Sequence, residues 1–197
     1  SVERTSSNYV EQLCSLLDSL LPGDENEKND IVNGSTTNTA STAFAAAKTT
    51  SALERKMERM FIFALTWSFG STLIKCDRPK FDIFLRTLSA DPICSSPLNL
   101  PTSGTLYDYG FDYSDDMFFS WDSKAQKFPL DMQTTSFASL LIPTADTVRS
   151  SWILQTLGKK SKKPILFVGA SGTAKTVTIE KVLAEMTIND RNMSYIT

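Results

Sequence analysis

The sequence predicts a mixed α and α/β chain, all-helical in its first half and opening an α/β domain near its end. Three observations carry this. Apolar residues recur at helical spacing in three stretches between residues 5 and 89. Residues 105–128 replace that spacing with a dense run of aromatics and acids. The stretch 163–186, KPILFVGASGTAKTVTIEKVLAEM, sets a short apolar run, a small-residue loop and a second helical spacing in succession.

The 197 residues suffice for one or two domains, and 41% hydrophobic content allows a sizeable core. A net charge of −2 gives no overall electrostatic case for nucleic acid or an acidic membrane. The absence of histidine removes Ser-His catalysis, His-dependent metal sites and imidazole switching. Cys14, Cys76 and Cys94 are odd in number and lack C-x-x-C spacing, so they read as reduced thiols. The most apolar window, 61–73, is too short to span a bilayer and is interrupted by Thr66, Ser68 and Ser71. The chain opens on Ser1, not Met, and is expected to be a stretch of a longer protein.

Residues 5–21 carry Val10, Leu13, Leu17, Leu20 and Leu21 on one helical stripe, with Leu16 beside it, and Pro22-Gly23 ends the helix. Residues 24–42 are polar and low in complexity, an exposed insertion; 43–50 has helical propensity but no clear start. A long, mostly buried helix is expected over 51–75, from Leu53, Met57, Met60, Phe61, Phe63, Ala64, Trp67 and Leu73. Its aromatic and methionine stripe reads as core packing. Asp77, Arg78 and Pro79 form a break, and 80–89 a shorter helix with Phe81, Phe84, Leu85 and Leu88 on one face. Pro92, Pro97 and Pro101 mark a connector. Residues 105–128 suit an irregular segment followed by one or two short strands. Their acids lack the spacing of a calcium loop and read as solvated. After the apolar run 139–142, Thr144 is a candidate N-cap for a helix from about Ala145 to Leu157, ended by Gly158, with Asp146 favourable in its first turn. The lysines at 159, 160, 162 and 163 read as a solvated helix end.

The stretch 163–186 carries the chemistry. Ile165, Leu166, Phe167 and Val168 suit a strand buried on both faces. Gly169, Ala170, Ser171, Gly172, Thr173 and Ala174 form the loop, and Lys175 and Thr176 open a helix with Val177, Ile179, Val182 and Leu183. Strand, small-residue loop, Lys-Thr and helix is the layout of a phosphate-binding P-loop. Small residues let backbone N–H groups approach phosphate oxygens, and the helix start adds its unpaired N–H groups and positive dipole end. Lys175 would reach the β- and γ-phosphates of ATP or ADP, and the Thr176 hydroxyl would ligate Mg, which prefers oxygen. Against G-x-x-x-x-G-K-[ST], Gly169, Lys175 and Thr176 match, and Ala174 replaces the second glycine. A strand-to-helix turn without a ligand is the alternative reading of the same residues.

Several segments together resemble the dynein heavy chain family, at the junction of its second and third AAA+ modules. LERKMERMFIFALTWSFGSTL (53–73) and RPKFDIFLRTL (78–88) resemble the helical lid that ends a module. FFSWDSKAQKF (118–128), LIPTADTVRSSWIL (141–154) and PILFVGASGTAKT (164–176) resemble the start of the next. The resemblance covers most of 8–188 outside the insertion at 24–50, and the GTAKT variant is more similar to axonemal than to cytoplasmic dyneins. It implies a helical AAA+ lid subdomain at 1–92 and the N-terminal part of a P-loop AAA+ α/β domain at 93–197. It also implies adenine contacts from Ile142, Pro143 and Thr144, with Asp146 and Arg149 holding the helix start, and a regulatory site that binds nucleotide without rapid turnover. The implied partners are neighbouring AAA+ modules of the same chain and, through the intact motor, dynein intermediate and light chains and microtubules, with neither nucleic acid nor membrane. The implied setting is cytoplasm and cytoskeleton, in the axoneme of a cilium or flagellum.

No apolar strand ending in Asp-Glu follows Lys175. The Walker B acid, sensor and arginine finger are therefore expected outside residues 1–197, as are strands to pair with 165–168. No catalytic residue is expected here, and this stretch alone is expected to be no competent ATPase, although the parent would hydrolyse ATP. Two other readings stay open: a different P-loop AAA+ ATPase of chaperone or helicase type, and a non-enzymatic helical interaction module with a degenerate P-loop.

Overall fold

The computed structural model describes residues 5–21, 39–89, 98–125, 142–160 and 165–185, with 39–50 and 159–160 as backbone only. Two compact units divide the chain: Ser1–Tyr107 with Phe111–Phe118, and Asp108–Gly110 with Phe119–Thr197.

The first unit is built on three helices, α1 (Ser6–Leu20), α2 (Thr39–Ser68) and α3 (Arg78–Ser89). α1 packs along α2 and buries Leu16 and Leu20, and Tyr9 stacks on Phe69 with ring centroids 5.2 Å apart. α2 buries Met60, Ile62, Phe63, Ala64 and Trp67. Thr66 and Ser68, the polar interruptions of that run, are buried too. Each hydroxyl donates to the carbonyl four residues back, Thr66 to Ile62 at 2.9 Å and Ser68 to Ala64 at 2.7 Å, which satisfies it inside the core.

From residue 98 the chain packs onto the helices. Leu98 and Leu106 join Ile62 and Leu85 in one buried cluster, flanked by Leu65, Phe81 and Leu100. Polar ties fasten it. The Asp82 carboxylate accepts the Leu106 N–H at 2.7 Å and Arg86 Nε at 2.8 Å, while Arg86 also donates to the Pro101 carbonyl at 2.6 Å. The Tyr107 hydroxyl donates to the Gly70 carbonyl at 3.0 Å. Burial pushes the Tyr107 phenol up to about 12, with the Arg78 guanidinium pulling it down and the Asp82 carboxylate adding to the rise.

A hairpin follows, β1 (Tyr109–Asp112) pairing with β2 (Met117–Ser120). Its turn is locked by the Ser114 N–H on Asp112 Oδ1 at 2.9 Å and by Asp116 in the left-handed region at φ +52°. Arg59 of α2 donates to the Asp116 carbonyl at 2.8 Å and pairs with its carboxylate at 3.2 Å; Lys56 lies 3.7 Å over the Tyr113 ring. Most of the aromatics and two of the acids in this stretch therefore serve structure.

The second unit holds the one-turn α4 (Trp121–Lys124), then α5 (Ala145–Lys160) and α6 (Lys175–Glu185). Phe119, Trp121 and Trp152 meet edge to face at centroid distances of 5.0 to 6.1 Å. A second core joins Leu154 of α5 to Val182 of α6, with Ile165, Phe167, Ile179 and Leu183 around them.

Several expectations need correction. α5 runs through Gly158 to Lys160, because one glycine inside a helix costs only about 1 kcal/mol and does not compel a stop. α3 begins at Arg78, so Arg78 and Pro79 lie inside it; a first-turn residue needs no N–H, and proline fits there. α2 ends at Ser68 and passes into a 3₁₀ turn, Gly70–Thr72. Leu53, Met57 and Phe61 of α2, Phe84 and Leu88 of α3, and Val10 of α1 are exposed, so these helices bury one face and not the whole apolar set. Residues 165–168 are not buried on both faces as expected, since Leu166 and Val168 are exposed, and they join no ladder among the described residues. Of the insertion expected at 24–42 within 24–50, residues 24–38 lie outside the described residues, as does the apolar run at 139–141, whereas 39–50 are not a loop but open α2, their alanines and threonines continuing the helix expected only from 51.

Candidate functional site

Residues 165–176 form the candidate site. Ile165 and Phe167 turn toward the core of α5 and α6, while Leu166 and Val168 stand 74% and 76% exposed. That period-two alternation is strand geometry with one face packed. The chain turns at Ser171-Gly172, with Gly172 at φ +77°, a conformation that glycine adopts without cost. A Cβ on Gly169 would lie 3.2 Å from Thr173 Oγ1, so the loop closes tightly against that position.

α6 starts at Lys175, and the Thr178 N–H donates to the Ala174 carbonyl at 3.0 Å as its first turn forms. Thr178 and Val182 point into the core and set the rotation of the helix. That rotation leaves Thr176 exposed and brings Lys175 back over the loop. Lys175 Nζ donates to the Gly169 carbonyl at 3.0 Å, to the Ala170 carbonyl at 2.6 Å and to Thr173 Oγ1 at 3.2 Å. The Thr173 hydroxyl in turn donates to the Ala170 carbonyl at 2.8 Å. All of these acceptors are neutral, and among the described residues no carboxylate pairs with Lys175. A cation held by neutral dipoles at a helix start keeps its charge available to an incoming anion, so these residues fit a phosphate group.

Ala174 lies at φ +54°, in the left-handed region. A methyl group at this position takes space beside the backbone that faces a phosphate. The backbone adds a second reason, since an L residue there is strained. The readable signal is the pattern's own glycine at that position.

Ile142, Pro143 and Thr144 lead into α5. The Thr147 N–H donates to Thr144 Oγ1 at 3.3 Å and the Thr144 N–H donates to Thr147 Oγ1 at 2.8 Å, a reciprocal cap of threonine on threonine. The Ile142 carbonyl lies 3.1 Å from the same Thr147 hydroxyl. Thr144 is thus the N-cap, and Asp146 pairs with Arg149 across the first turn. A cleft of about 180 Å³ runs along α5 and the later half of α6, lined by Pro143, Val148, Trp152, Gln155 and Lys181 among others; none of 169–176 lines it. Among the described residues no group of His, Cys, Asp or Glu could hold a metal ion, and no helix is long and apolar enough to cross a membrane. Cys14 and Cys76 are free and exposed.

Comparison with known proteins bears on both halves. Residues 1–123 match the dynein heavy chain AAA lid domain, and residues 130–197 match the P-loop containing dynein motor region. The chain is 39% identical over 145 residues, 68% of its length, to the dynein-1-alpha heavy chain of the flagellar inner arm I1 complex of Chlamydomonas reinhardtii. It is 30% identical over 192 residues, 94% of its length, to human dynein axonemal heavy chain 10, and 29% identical over 184 residues, 89% of its length, to mouse dynein axonemal heavy chain 8. It spans only 3% to 4% of the length of these relatives. The helical unit and the opening of a nucleotide-binding α/β domain agree with these matches, and the chain belongs to the dynein heavy chain family.

Proposed function

We propose that this chain joins the helical lid of one AAA+ module, residues 1–92, to the nucleotide entrance of the next, residues 93–197, at the second and third modules of a dynein motor ring. Residues 98–107 pack with the helices, so the passage between the two is gradual. The loop Gly169, Ala170, Ser171, Gly172, Thr173 and Ala174 cradles the phosphates of ATP or ADP. Lys175 pairs with the β- and γ-phosphates, Thr176 holds Mg, and Ile142, Pro143 and Thr144 border the adenine. In the whole protein, neighbouring modules of the ring complete the site, and ATP turnover drives movement along microtubules in an axoneme, with intermediate and light chains as partners. The strained Ala174 suits a site that binds nucleotide and turns it over slowly.

The observation that carries this is the Lys175 ammonium at the mouth of α6, ringed by neutral acceptors only. The test is titration of fluorescent ADP with Mg into the intact heavy chain, its other nucleotide sites disabled, with and without Lys175→Ala. Saturable binding lost in the variant is expected. Equal binding by both, or by neither, overturns the assignment.

A further inference from the structure

We propose that Thr147 is a positioning residue for the base, its hydroxyl fixing the course of the backbone at residues 142–144, which border the adenine. This rests on the reading of Ile142, Pro143 and Thr144 as the adenine border and deepens it.

One hydroxyl bridges that segment. Thr147 Oγ1 accepts the Thr144 N–H at 2.8 Å and donates to the Ile142 carbonyl at 3.1 Å. The Thr144 carbonyl lies 3.0 Å from the same oxygen, but it already takes the Val148 N–H at 2.9 Å as the first turn of α5 forms. The hydroxyl proton is therefore better used on Ile142, and the remaining lone pair faces Thr144 Oγ1 at 3.2 Å. Between the two bridged residues stands Pro143, whose ring fixes φ and which has no N–H to compete for the bridge. Ring and bridge together hold the segment in one shape, with the Ile142 side chain exposed as an apolar surface. Thr147 is half-buried on α5, and α5 is anchored by Leu154 in the core and by Trp152 against Trp121. The segment is thus tied to a rigid element, which lowers the ordering cost of holding a base. A valine has the same shape and loses the bridge. The residue 147 N–H would keep its place on Thr144 Oγ1, so the helix retains half of its cap.

The experiment measures the affinity of ribose-labelled fluorescent ADP with Mg, and of inorganic pyrophosphate as its competitor, on the intact heavy chain with its other nucleotide sites disabled. Wild type is compared with Thr147→Val, Thr147→Ser and Ile142→Asp. Losing the bridge should weaken ADP about three- to tenfold in Thr147→Val and leave pyrophosphate unchanged, because pyrophosphate has no base to be placed. Thr147→Ser keeps the hydroxyl and should bind ADP like wild type. Unchanged ADP affinity in Thr147→Val, an equal loss of ADP and pyrophosphate, or a serine variant as weak as the valine one overturns the positioning role. Ile142→Asp that binds ADP as tightly as wild type removes the adenine border and the positioning role together. Weaker binding in Ile142→Asp with none in Thr147→Val removes the positioning role alone.

Discussion

Ala174→Gly should stabilise the chain although it deletes a side chain. At φ +54° a residue with a Cβ loses about 1–2 kcal/mol relative to the ordinary backbone regions, and glycine is spared that loss. Glycine's extra freedom in the unfolded chain takes back about 0.5–1 kcal/mol. The carbonyl of residue 174 accepts the first N–H of α6, which places it at the N-cap, and glycine is a better N-cap than alanine by several tenths of a kcal/mol. The sum is a gain of about 1 kcal/mol. Urea unfolding followed by tryptophan fluorescence reads it directly, since Trp121 and Trp152 belong to the same unit as the loop. With a slope of about 1–3 kcal/mol per molar, the midpoint should rise by about 0.3–1 M. Ala174→Val, β-branched in the same backbone region, should lower it. A glycine variant whose midpoint stays still or falls refutes the argument from backbone strain.

Two further outcomes follow from the ties in the helical unit. Asp82→Ala strands the buried Leu106 N–H and removes the Arg86 partner, and because Arg86 is partly solvated the loss should be about 2–3 kcal/mol; Asp82→Asn keeps an acceptor and should lose less, both read by urea unfolding. The Tyr107 phenol, 3% exposed, is held up at about 12 against an ordinary 10. A raised value means that the folded state favours the neutral phenol. Its contribution is whole below pH 10 and is lost as pH rises to 12, on the order of 2 kcal/mol. Stability curves from pH 9 to 12 should fall less steeply in Tyr107→Phe than in wild type.

Much of this was legible from residues alone. The helices at 5–21 and 80–89 announced themselves by spacing, and the P-loop by the order of strand-like run, small residues and Lys-Thr. The hairpin is readable only as one or two strands, because nothing local reveals that Arg59 and Lys56, 57 residues before Asp116 and Tyr113, seize its turn. Gly158 misled because its helix continues on packing that a one-dimensional pattern does not contain. Leu53, Met57 and Phe61 read as core in the sequence yet stand exposed, because hydrophobicity reports what could be buried, not which neighbour arrives to bury it. The hydrogen bond between the Thr173 hydroxyl and Lys175 is invisible in the sequence, since the motif leaves that position open and the contact depends on how the loop folds.

The outward pair Leu166 and Val168 has a consequence for how this protein behaves in company. A short segment with outward apolar teeth and no ladder partner among the described residues is a template, and an extended chain that pairs with it gains apolar cover and hydrogen bonds in one step. A rightful sheet neighbour and a second molecule compete for the same edge. Where that neighbour is missing, clumping should grow with concentration and be relieved by one charge at position 166.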